Sequence, residues 1–214
     1  MKILYYTGRS LTRIIFGLFL RAKVRGQENL PPEGGFILAS NHLSYWDPPL
    51  VGSWVPRQVY FMAKQELFKN PLFGGIIKRT NALPLRRGTI DRVALDLCVE
   101  TLKAGNVLTV FPEGTRAKEG HFLTPKPGVG MVAVRAKCPI VPALIQGSNR
   151  LKACLLGTSR LSITYGRPLE ADWVESFDAT KESYTQIAEA VMERIGSLRN
   201  EAHTVNNAAG SSDY

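Results

Sequence analysis

Residues 90–116 read IDRVALDLCVETLKAGNVLTVFPEGTR and combine two different hydrophobic periods. In the first half, apolar residues recur every three or four positions, which predicts a helix over residues 90–104. These apolar residues are Ile90, Val93, Ala94, Leu97, Cys98 and Leu102. Residues 107–111 then form a short, continuous apolar run of the kind found in buried strands. A helix that leads directly into a fully apolar strand is typical of α/β proteins.

The same alternation of strand and helix continues along the rest of the chain. Apolar runs predict strands at residues 36–39, 59–62, 140–145 and 161–165, and amphipathic patterns predict helices after Pro71, over 128–137 and over 181–198. We therefore predict a single α/β sandwich domain over residues 26–200, with a mixed, largely parallel sheet and with functional residues at the strand ends. Residues 201–214 are polar and are predicted to form a disordered tail.

The segment 1–25 differs from the rest of the chain in its charge. It contains a short apolar stretch at residues 14–20, far below the roughly 20 residues that a membrane-spanning helix needs, and no signal-cleavage site follows. Its basic residues, all before the first acidic residue, are Lys2, Arg9, Arg13, Arg21, Lys23 and Arg25. We expect an amphipathic helical segment that associates with the cytoplasmic face of the cell membrane, as a peripheral or monotopic anchor. The alternative is an ordinary first helix that packs on the core.

The composition narrows the possible partners and cofactors. The 214 residues contain 27 Lys and Arg against 18 Asp and Glu, and this net charge of +9 predicts an anionic partner such as a lipid surface, a phosphorylated substrate or nucleic acid. No nucleic-acid-reading motif accompanies the charge, so nucleic acid is not the expected partner. Three cysteines without Cys-x-x-Cys spacing argue against disulfides and zinc and for a reducing compartment. His121 and His203 stand alone, so we expect no metal site.

The chemistry is predicted just past the first strand of the domain. His42 follows the apolar run 36–39 and Asp47 comes five residues later, which supplies a general base and a carboxylate to orient it. In one regular helix these two side chains would point to nearly opposite faces. We expect a bend between them, because Asp47 precedes a proline and such residues are disfavoured in the helical region. A surface pair without a catalytic role is the alternative interpretation.

A second candidate cluster lies in the turn after the strand at 107–111. Residues 111–116 read FPEGTR, and an arginine fork is a preferred ligand for phosphate, although a salt-bridged surface turn would have the same sequence. Together with NHLSYWDP at residues 41–48, this turn resembles the glycerophospholipid acyltransferase family, in particular the PlsC-type lysophosphatidate acyltransferases. The resemblance covers about residues 22–170.

The resemblance assigns further site residues. It implies that the phosphate and glycerol of the substrate are bound by Lys64, Arg87, Glu113, Gly114, Thr115 and Arg116, and that Pro142 lines the acyl or acceptor pocket. Arg86 is an alternative to Arg87, because the matching block reads PLRRG at residues 84–88. An ordinary core strand is the alternative role of Pro142. We expect Glu113 to orient Arg116 or to bind a glycerol hydroxyl.

The resemblance also implies the reaction. The expected enzyme transfers a fatty acyl chain from acyl carrier protein (acyl-ACP) or from acyl-CoA to the 2-hydroxyl of 1-acyl-sn-glycerol 3-phosphate (lysophosphatidate), giving phosphatidic acid in phospholipid biosynthesis. These thioesters are co-substrates, and no further cofactor is expected. Glycerol 3-phosphate or another lysophospholipid is the alternative acceptor. A non-catalytic basic membrane-binding protein, from a different functional class, would explain the charge but not the two motifs.

Overall fold

The computed structural model describes residues 2–86, 91–118 and 121–209 of the chain. Within these ranges the strands are β1 (Lys23–Arg25), β2 (Phe36–Ser40), β3 (Val59–Lys64), β4 (Ala82–Leu85), β5 (Val107–Val110), β6 (Ile140–Gln146) and β7 (Ser162–Tyr165). The α-helices are α1 (Lys2–Arg13), α2 (Asp47–Ser53), α3 (Pro71–Arg79), α4 (Arg92–Lys103), α5 (Gly128–Ala136), α6 (Leu151–Leu155), α7 (Ala171–Glu175) and α8 (Lys181–Ala209). A wide turn of π-helix, Ile14–Phe19, follows α1, and short 3-10 turns cover Gln27–Asn29 and Gln65–Lys69.

The strands form a seven-stranded sheet in the order β1-β7-β6-β2-β5-β3-β4. β6, β2, β5, β3 and β4 are parallel to one another, whereas β7 is antiparallel to β6 and β1 is parallel to β7. Parallel neighbours need a crossover connection, which explains why helices separate them along the chain. The predicted α/β domain with a mixed, largely parallel sheet is confirmed.

Helices cover both faces of the sheet around its central strand. Ile37 and Ala39 of β2 belong to the core cluster that α4, α5 and α8 complete, and Phe36 and Leu38 belong to the cluster with α2 and the wide turn. All five residues of β2 are therefore buried. A strand buried on both faces needs apolar residues at every position, which is why the sequence shows a continuous apolar run there.

The helices differ from the sequence analysis in several places. α2, α6 and α7 were not predicted at all. α4 begins at Arg92, because the Asp91 side chain accepts a hydrogen bond from the backbone N–H of Ala94 at 3.1 Å and caps the helix. α8 continues to Ala209, past the predicted start of the polar tail at residue 201. No glycine or proline occurs from residue 197 to 209, so no helix breaker interrupts it there. Residues 210–214 lie outside the described ranges.

One edge of the sheet collects the loops that follow the parallel strands, and we call it the carboxyl edge. The residues directly after β2, β3, β4, β5 and β6 lie there, because parallel strands all end on the same side. β1 and β7 run in the opposite direction, so their first residues, Lys23 and Ser162, which pair with each other, lie at the same edge. Polar residues at such an edge are well placed to form a site.

The N-terminal segment packs on the domain with one side and leaves its other side exposed. The Tyr5 hydroxyl accepts a hydrogen bond from the backbone N–H of Val59 at 2.8 Å, and the Arg9 and Arg13 Nε atoms donate to the carbonyl oxygen of Ser53. Apolar side chains that remain exposed are Ile3, Leu4, Leu11, Ile14, Ile15, Leu18 and Phe19. One side of the segment thus packs on the core like an ordinary first helix, and the other side has the exposed apolar residues expected of a membrane-associating segment. Across residues 2–86, 91–118 and 121–209, no helix has the length and apolar character needed to cross a bilayer.

Candidate active site

His42 and Asp47 form a hydrogen-bonded pair at the carboxyl edge. The Nδ1 atom of His42 lies 2.8 Å from Oδ2 of Asp47. Asp47 is fully buried and the His42 side chain is 14% exposed, so the imidazole reaches the surface while the carboxylate behind it is protected. A carboxylate accepts the Nδ1 proton, and this leaves the Nε2 lone pair free to act as a base. The predicted pairing of His42 with Asp47 is confirmed.

The backbone turn between the two residues is held by the same carboxylate. Oδ2 of Asp47 also accepts hydrogen bonds from the backbone N–H groups of Leu43, at 2.6 Å, and Ser44, at 2.7 Å. The expected bend exists, but the reason given for it was wrong. Asp47 is the first residue of α2, with prolines at the next two positions, where a missing N–H costs no helical hydrogen bond. The bend comes from the residues that fold over the Asp47 carboxylate.

The His42 ring is also fixed from the β5 side. It stacks on the Phe111 ring, with the ring centroids 4.1 Å apart and the planes at 21°. The His42 carbonyl oxygen accepts a hydrogen bond from the Ala117 N–H at 2.7 Å. Because β2 and β5 are neighbours in the sheet, the loops that follow them lie side by side and join at these contacts.

Asn41 fixes the end of β2 to the other neighbouring strand. Its side-chain amide donates to the Ile145 carbonyl at 2.9 Å and accepts from the Ile145 N–H at 2.7 Å. Both contacts are buried, so the amide continues the β2–β6 ladder one residue past the strand. The residue before the base is therefore immobilised. The sequence analysis noted Asn41 only as part of the motif, because nothing in the sequence pairs it with a residue 104 positions away.

Glu113 is a buried acid in the loop after β5. Its side chain is 1% exposed, and neither carboxylate oxygen makes a well-formed hydrogen bond to the described part of the chain. Burial raises the pKa of Glu113 to about 7, the nearby Asp47 charge adds to this increase, and the backbone amides of His42 and Leu123 lower the pKa only partly. The prediction that Glu113 orients Arg116 is not supported, because no hydrogen bond or ion pair joins them.

Arg116 is positioned by Tyr45 instead. Its Cζ atom lies 3.7 Å from the centroid of the Tyr45 ring, and its Nη2 donates to the Tyr45 hydroxyl at 3.0 Å. Both residues are exposed, so the guanidinium is held at the mouth of the site while much of its surface faces solvent. The sequence analysis missed Tyr45, because an aromatic residue between a base and its partner has no distinctive spacing to a residue 71 positions away.

The turn that carries Glu113 and Arg116 requires glycine. Gly114 has a φ of +67°, and a side chain at this position would lie 3.0 to 3.2 Å from the aliphatic end and the ammonium of Lys126. Lys126 therefore lies across the turn and brings a second cation to the β5 loop. Thr115, the residue after the glycine, is exposed.

The other predicted site residues have separate positions. Lys64 ends β3, beside β5, and its ammonium lies 3.6 Å from a Glu66 carboxylate oxygen. Arg86 follows β4 and donates from Nε to the Gln65 side chain at 2.8 Å, whereas Arg87 lies outside the described residues.

Pro142 lies within β6, opposite Ala39, and is buried. Its described surroundings are those of a core strand, and its role in a pocket stays a prediction.

This arrangement has the parts of a transferase that activates a hydroxyl acceptor. The base is oriented by a buried carboxylate, held by three neighbouring elements, and partly exposed to solvent. Cationic groups flank it at the same sheet edge, where an anionic substrate group would be attracted. The described cysteines at positions 98, 138 and 154 are all buried, and burial raises the pKa of the Cys98 and Cys138 thiols to about 12, so neither is a ready nucleophile.

Comparisons with known proteins agree with this chemistry. The sequence model of the acyltransferase family matches residues 21–146. The chain is 33% identical over 190 residues to the 1-acyl-sn-glycerol-3-phosphate acyltransferase of Bacillus subtilis. This alignment covers 88% of this chain and 93% of that protein. A 1-acyl-sn-glycerol-3-phosphate acyltransferase of Streptococcus pneumoniae is 33% identical over 137 residues, 63% of this chain and 50% of that protein. The chain therefore belongs to the acyltransferase family.

A solved structure extends the similarity to the whole fold. The crystal structure of the 1-acyl-sn-glycerophosphate acyltransferase PlsC from Thermotoga maritima superposes with a TM-score of 0.66 at 28% sequence identity. The match covers 92% of this chain and 79% of that structure. This chain therefore shares its fold with that enzyme over most of its length.

Proposed function

We propose that this acyltransferase transfers a fatty acyl chain from a thioester to the free 2-hydroxyl of 1-acyl-sn-glycerol 3-phosphate, giving phosphatidic acid. The observation that carries the proposal is the 2.8 Å contact between His42 Nδ1 and Asp47 Oδ2, which leaves Nε2 as a base at the carboxyl edge. The similarity to the 1-acyl-sn-glycerol-3-phosphate acyltransferase of Bacillus subtilis, to which 88% of the chain aligns, supports this choice of acceptor.

In the proposed mechanism, His42 Nε2 removes the proton of the 2-hydroxyl as its oxygen attacks the thioester carbonyl. Asp47 keeps the Nδ1 proton in place and stabilises the imidazolium that forms. The C–S bond then breaks, and the departing thiolate takes the proton from His42, so the enzyme returns to its starting state. No acyl-enzyme is needed, because the thioester is already activated and the acceptor is the nucleophile. Acyl-ACP and acyl-CoA are both suitable donors for this step.

The phosphate of the acceptor is proposed to bind beside Arg116 and Lys64, which ends β3. Arg87, outside the described residues, stays a predicted third ligand. Arg116 is the strongest of the three candidates, because Tyr45 holds its guanidinium in one place before substrate arrives. The Glu113 carboxyl, with its pKa raised to about 7, is proposed to hydrogen-bond a glycerol hydroxyl. A hydroxyl can donate to the ionised carboxylate and can accept from the protonated carboxyl, so it suits both forms.

A second acceptor class has one specific observation in its favour. The chain is 28% identical over 167 residues to the lyso-ornithine lipid O-acyltransferase of Pseudomonas aeruginosa. Acyltransferases of this family are thus found with an acceptor other than lysophosphatidate.

The experiment that separates the two acceptors compares lysophosphatidate, lysophosphatidylcholine and lyso-ornithine lipid as substrates of the purified enzyme. We expect wild type to prefer the phosphomonoester, and Arg116→Ala to lose about ten- to a hundredfold in kcat/KM for it, since a charge-assisted contact contributes roughly 1.5 to 3 kcal/mol. The control is Arg135→Ala, which removes an exposed arginine of α5 that pairs with Asp96 of α4. Equal use of all three acceptors by wild type would reject a phosphate site.

We also propose that the enzyme works as a peripheral or monotopic protein at the cytoplasmic face of the membrane. The exposed apolar side of the N-terminal segment, together with its basic residues, is suited to an anionic lipid surface. A lipid acceptor with one long acyl chain is itself resident in that surface.

A further inference from the structure

Exposed apolar side chains occur at the carboxyl edge in three segments that are far apart in the sequence. They belong to the wide turn, to the loop after β2, and to the short helix α6 with the residue after it. We call them the apolar rim, defined as Leu18, Phe19, Tyr45, Trp46, Leu155 and Leu156. Leu155 and Leu156 are 62% and 78% exposed, as much as residues of the N-terminal segment itself. Two adjacent leucines that are exposed to solvent at the carboxyl edge indicate an interaction surface.

The sheet topology brings these three segments together. α6 connects the end of β6 to the start of β7, so it must lie at the carboxyl edge. The wide turn precedes β1, which pairs with β7 from that same edge, and the Lys23 N–H donates to the Leu161 carbonyl at 2.9 Å.

Side-chain contacts support the same placement. The Phe16 ring of the wide turn meets the Trp46 ring edge-to-face, with centroids 6.1 Å apart. Phe16 and Leu20 also share a core cluster with Cys154 of α6 and Leu161. The rim is thus anchored on one core layer, beneath the same face of the sheet.

The charges around α6 match an anionic surface. Residues 120–169 contain seven Lys and Arg and no Asp or Glu. Three of these cations, Arg150, Lys152 and Arg160, lie beside the two leucines in the sequence and are exposed. Leucines flanked in the sequence by cations and not by acids are typical of a segment that lies at the boundary between lipid head groups and acyl chains.

We propose that α6 is a second membrane contact, in addition to the N-terminal segment. Leu155 and Leu156 insert at the boundary of an anionic bilayer, and the flanking cations meet the lipid phosphates. Two separate contacts with the bilayer, instead of one, fix the tilt of the domain, so that the carboxyl edge faces the lipid. This inference rests on the proposed function in one respect, namely that the acceptor is a lipid of the same bilayer.

The first test compares the binding of wild type and Leu155→Ser/Leu156→Ser to vesicles that contain phosphatidylglycerol. We expect the double variant to bind about ten- to a hundredfold more weakly, because it loses two inserted apolar side chains. Ile76→Ser is the control, since Ile76 is exposed on α3, outside the rim. Transfer to a short-chain, water-soluble lysophosphatidate should be unchanged in the double variant, which shows that its fold and chemistry are intact. Vesicle binding equal to that of wild type would overturn the inference.

The second test follows α6 directly with a fluorophore. Leu156→Cys provides an exposed thiol for an environment-sensitive label, whereas the three native cysteines are buried. We expect a blue shift of the label with phosphatidylglycerol vesicles and little change with phosphatidylcholine vesicles.

Two other outcomes of these tests would reject the inference. A blue shift that grows with protein concentration in the absence of vesicles would mean that a second copy of the chain covers the leucines. If wild type binds no vesicles, both this inference and the proposed membrane association fail, while the water-soluble substrate still tests the acyl transfer.

Discussion

The two loops that build the site differ in how completely the protein itself satisfies their polar groups. In the loop after β2, one oxygen of Asp47 receives the His42 ring and two backbone amides, and Asn41 closes two further hydrogen bonds. In the loop after β5, both oxygens of Glu113 lack a good partner and the Arg116 guanidinium is exposed. Asp47 Oδ2 and Asn41 are thus paired before substrate binds, although Asp47 Oδ1 is buried without a hydrogen-bond partner among the described residues. In the second loop, neither oxygen of Glu113 has such a partner, and Arg116 is open to a substrate. Groups that react benefit from being held rigidly, whereas groups that bind substrate need donors or acceptors that the protein has not already paired.

The largest expected effect comes from removing the base itself. His42→Ala should lower kcat by about 10³- to 10⁴-fold, since general base catalysis contributes up to this much. The fold should survive, because the ring is at the surface and its backbone contacts remain. Initial rates with a soluble acceptor measure the loss, and His121→Ala, at an exposed histidine, should behave as wild type. If His42→Ala kept a tenth of the activity, the base would have to lie elsewhere.

The next effect tests whether Asp47 orients the base. Asp47→Asn can still accept hydrogen bonds from the loop, but its amide can also stabilise the wrong His42 tautomer, so we expect kcat to fall about 10²- to 10³-fold with a smaller change in KM. Asp96→Asn is the matched control, because it removes the charge of an exposed carboxylate that pairs with Arg135. A loss of acceptor affinity at constant kcat would instead place Asp47 among the binding groups.

The β5 loop predicts a pH effect on stability. The pKa of Glu113 is about 7 in the folded protein, above the value of an unfolded glutamate, so its proton is bound more tightly in the folded state. Wild type should therefore lose stability relative to Glu113→Gln as pH rises from about 4.5 to 7, by on the order of 2–3 kcal/mol, with no further change above that. Urea unfolding at pH 5 and pH 8 measures this difference.

Glu66→Gln is the control for the pH experiment. Its own backbone amide, and then Lys64, lower the pKa of Glu66, so the contribution of this carboxylate is present at neutral pH and lost towards acid. Its pH dependence should be opposite in sign and weak, because the group is exposed. A flat stability difference between wild type and Glu113→Gln across this pH range would show that Glu113 is ionised throughout.

The smallest expected effect concerns the contact between Tyr45 and Arg116. Tyr45→Phe removes the 3.0 Å hydrogen bond but keeps the ring under the guanidinium. We expect the KM for a phosphate acceptor to rise about two- to fivefold at unchanged kcat, because an exposed hydrogen bond contributes little. Tyr6→Phe, an exposed tyrosine on α1, should leave KM unchanged. A fall in kcat would indicate that Tyr45 acts on the β2 loop rather than on Arg116.

The same contrast explains what could be predicted from the sequence. His42 and Asp47 were predictable because both belong to one short loop, and the α/β class followed from runs such as 107–111. Asn41 with Ile145 and Tyr45 with Arg116 were not, because the sheet brings together residues that no local pattern relates. α2 was hidden because Asp47-Pro48 was interpreted as a bend, although proline is well suited to the first turn of a helix.

The pairing of β1 with β7 also has a consequence for the order of events during synthesis. Lys23 leaves the ribosome well before its partner Ser162, which follows only after most of the sheet has been translated. The N-terminal segment is thus available to a membrane long before its own place at the sheet edge exists. Because pairing distant segments is a slow step, we expect docking of β1 to be among the last events of folding.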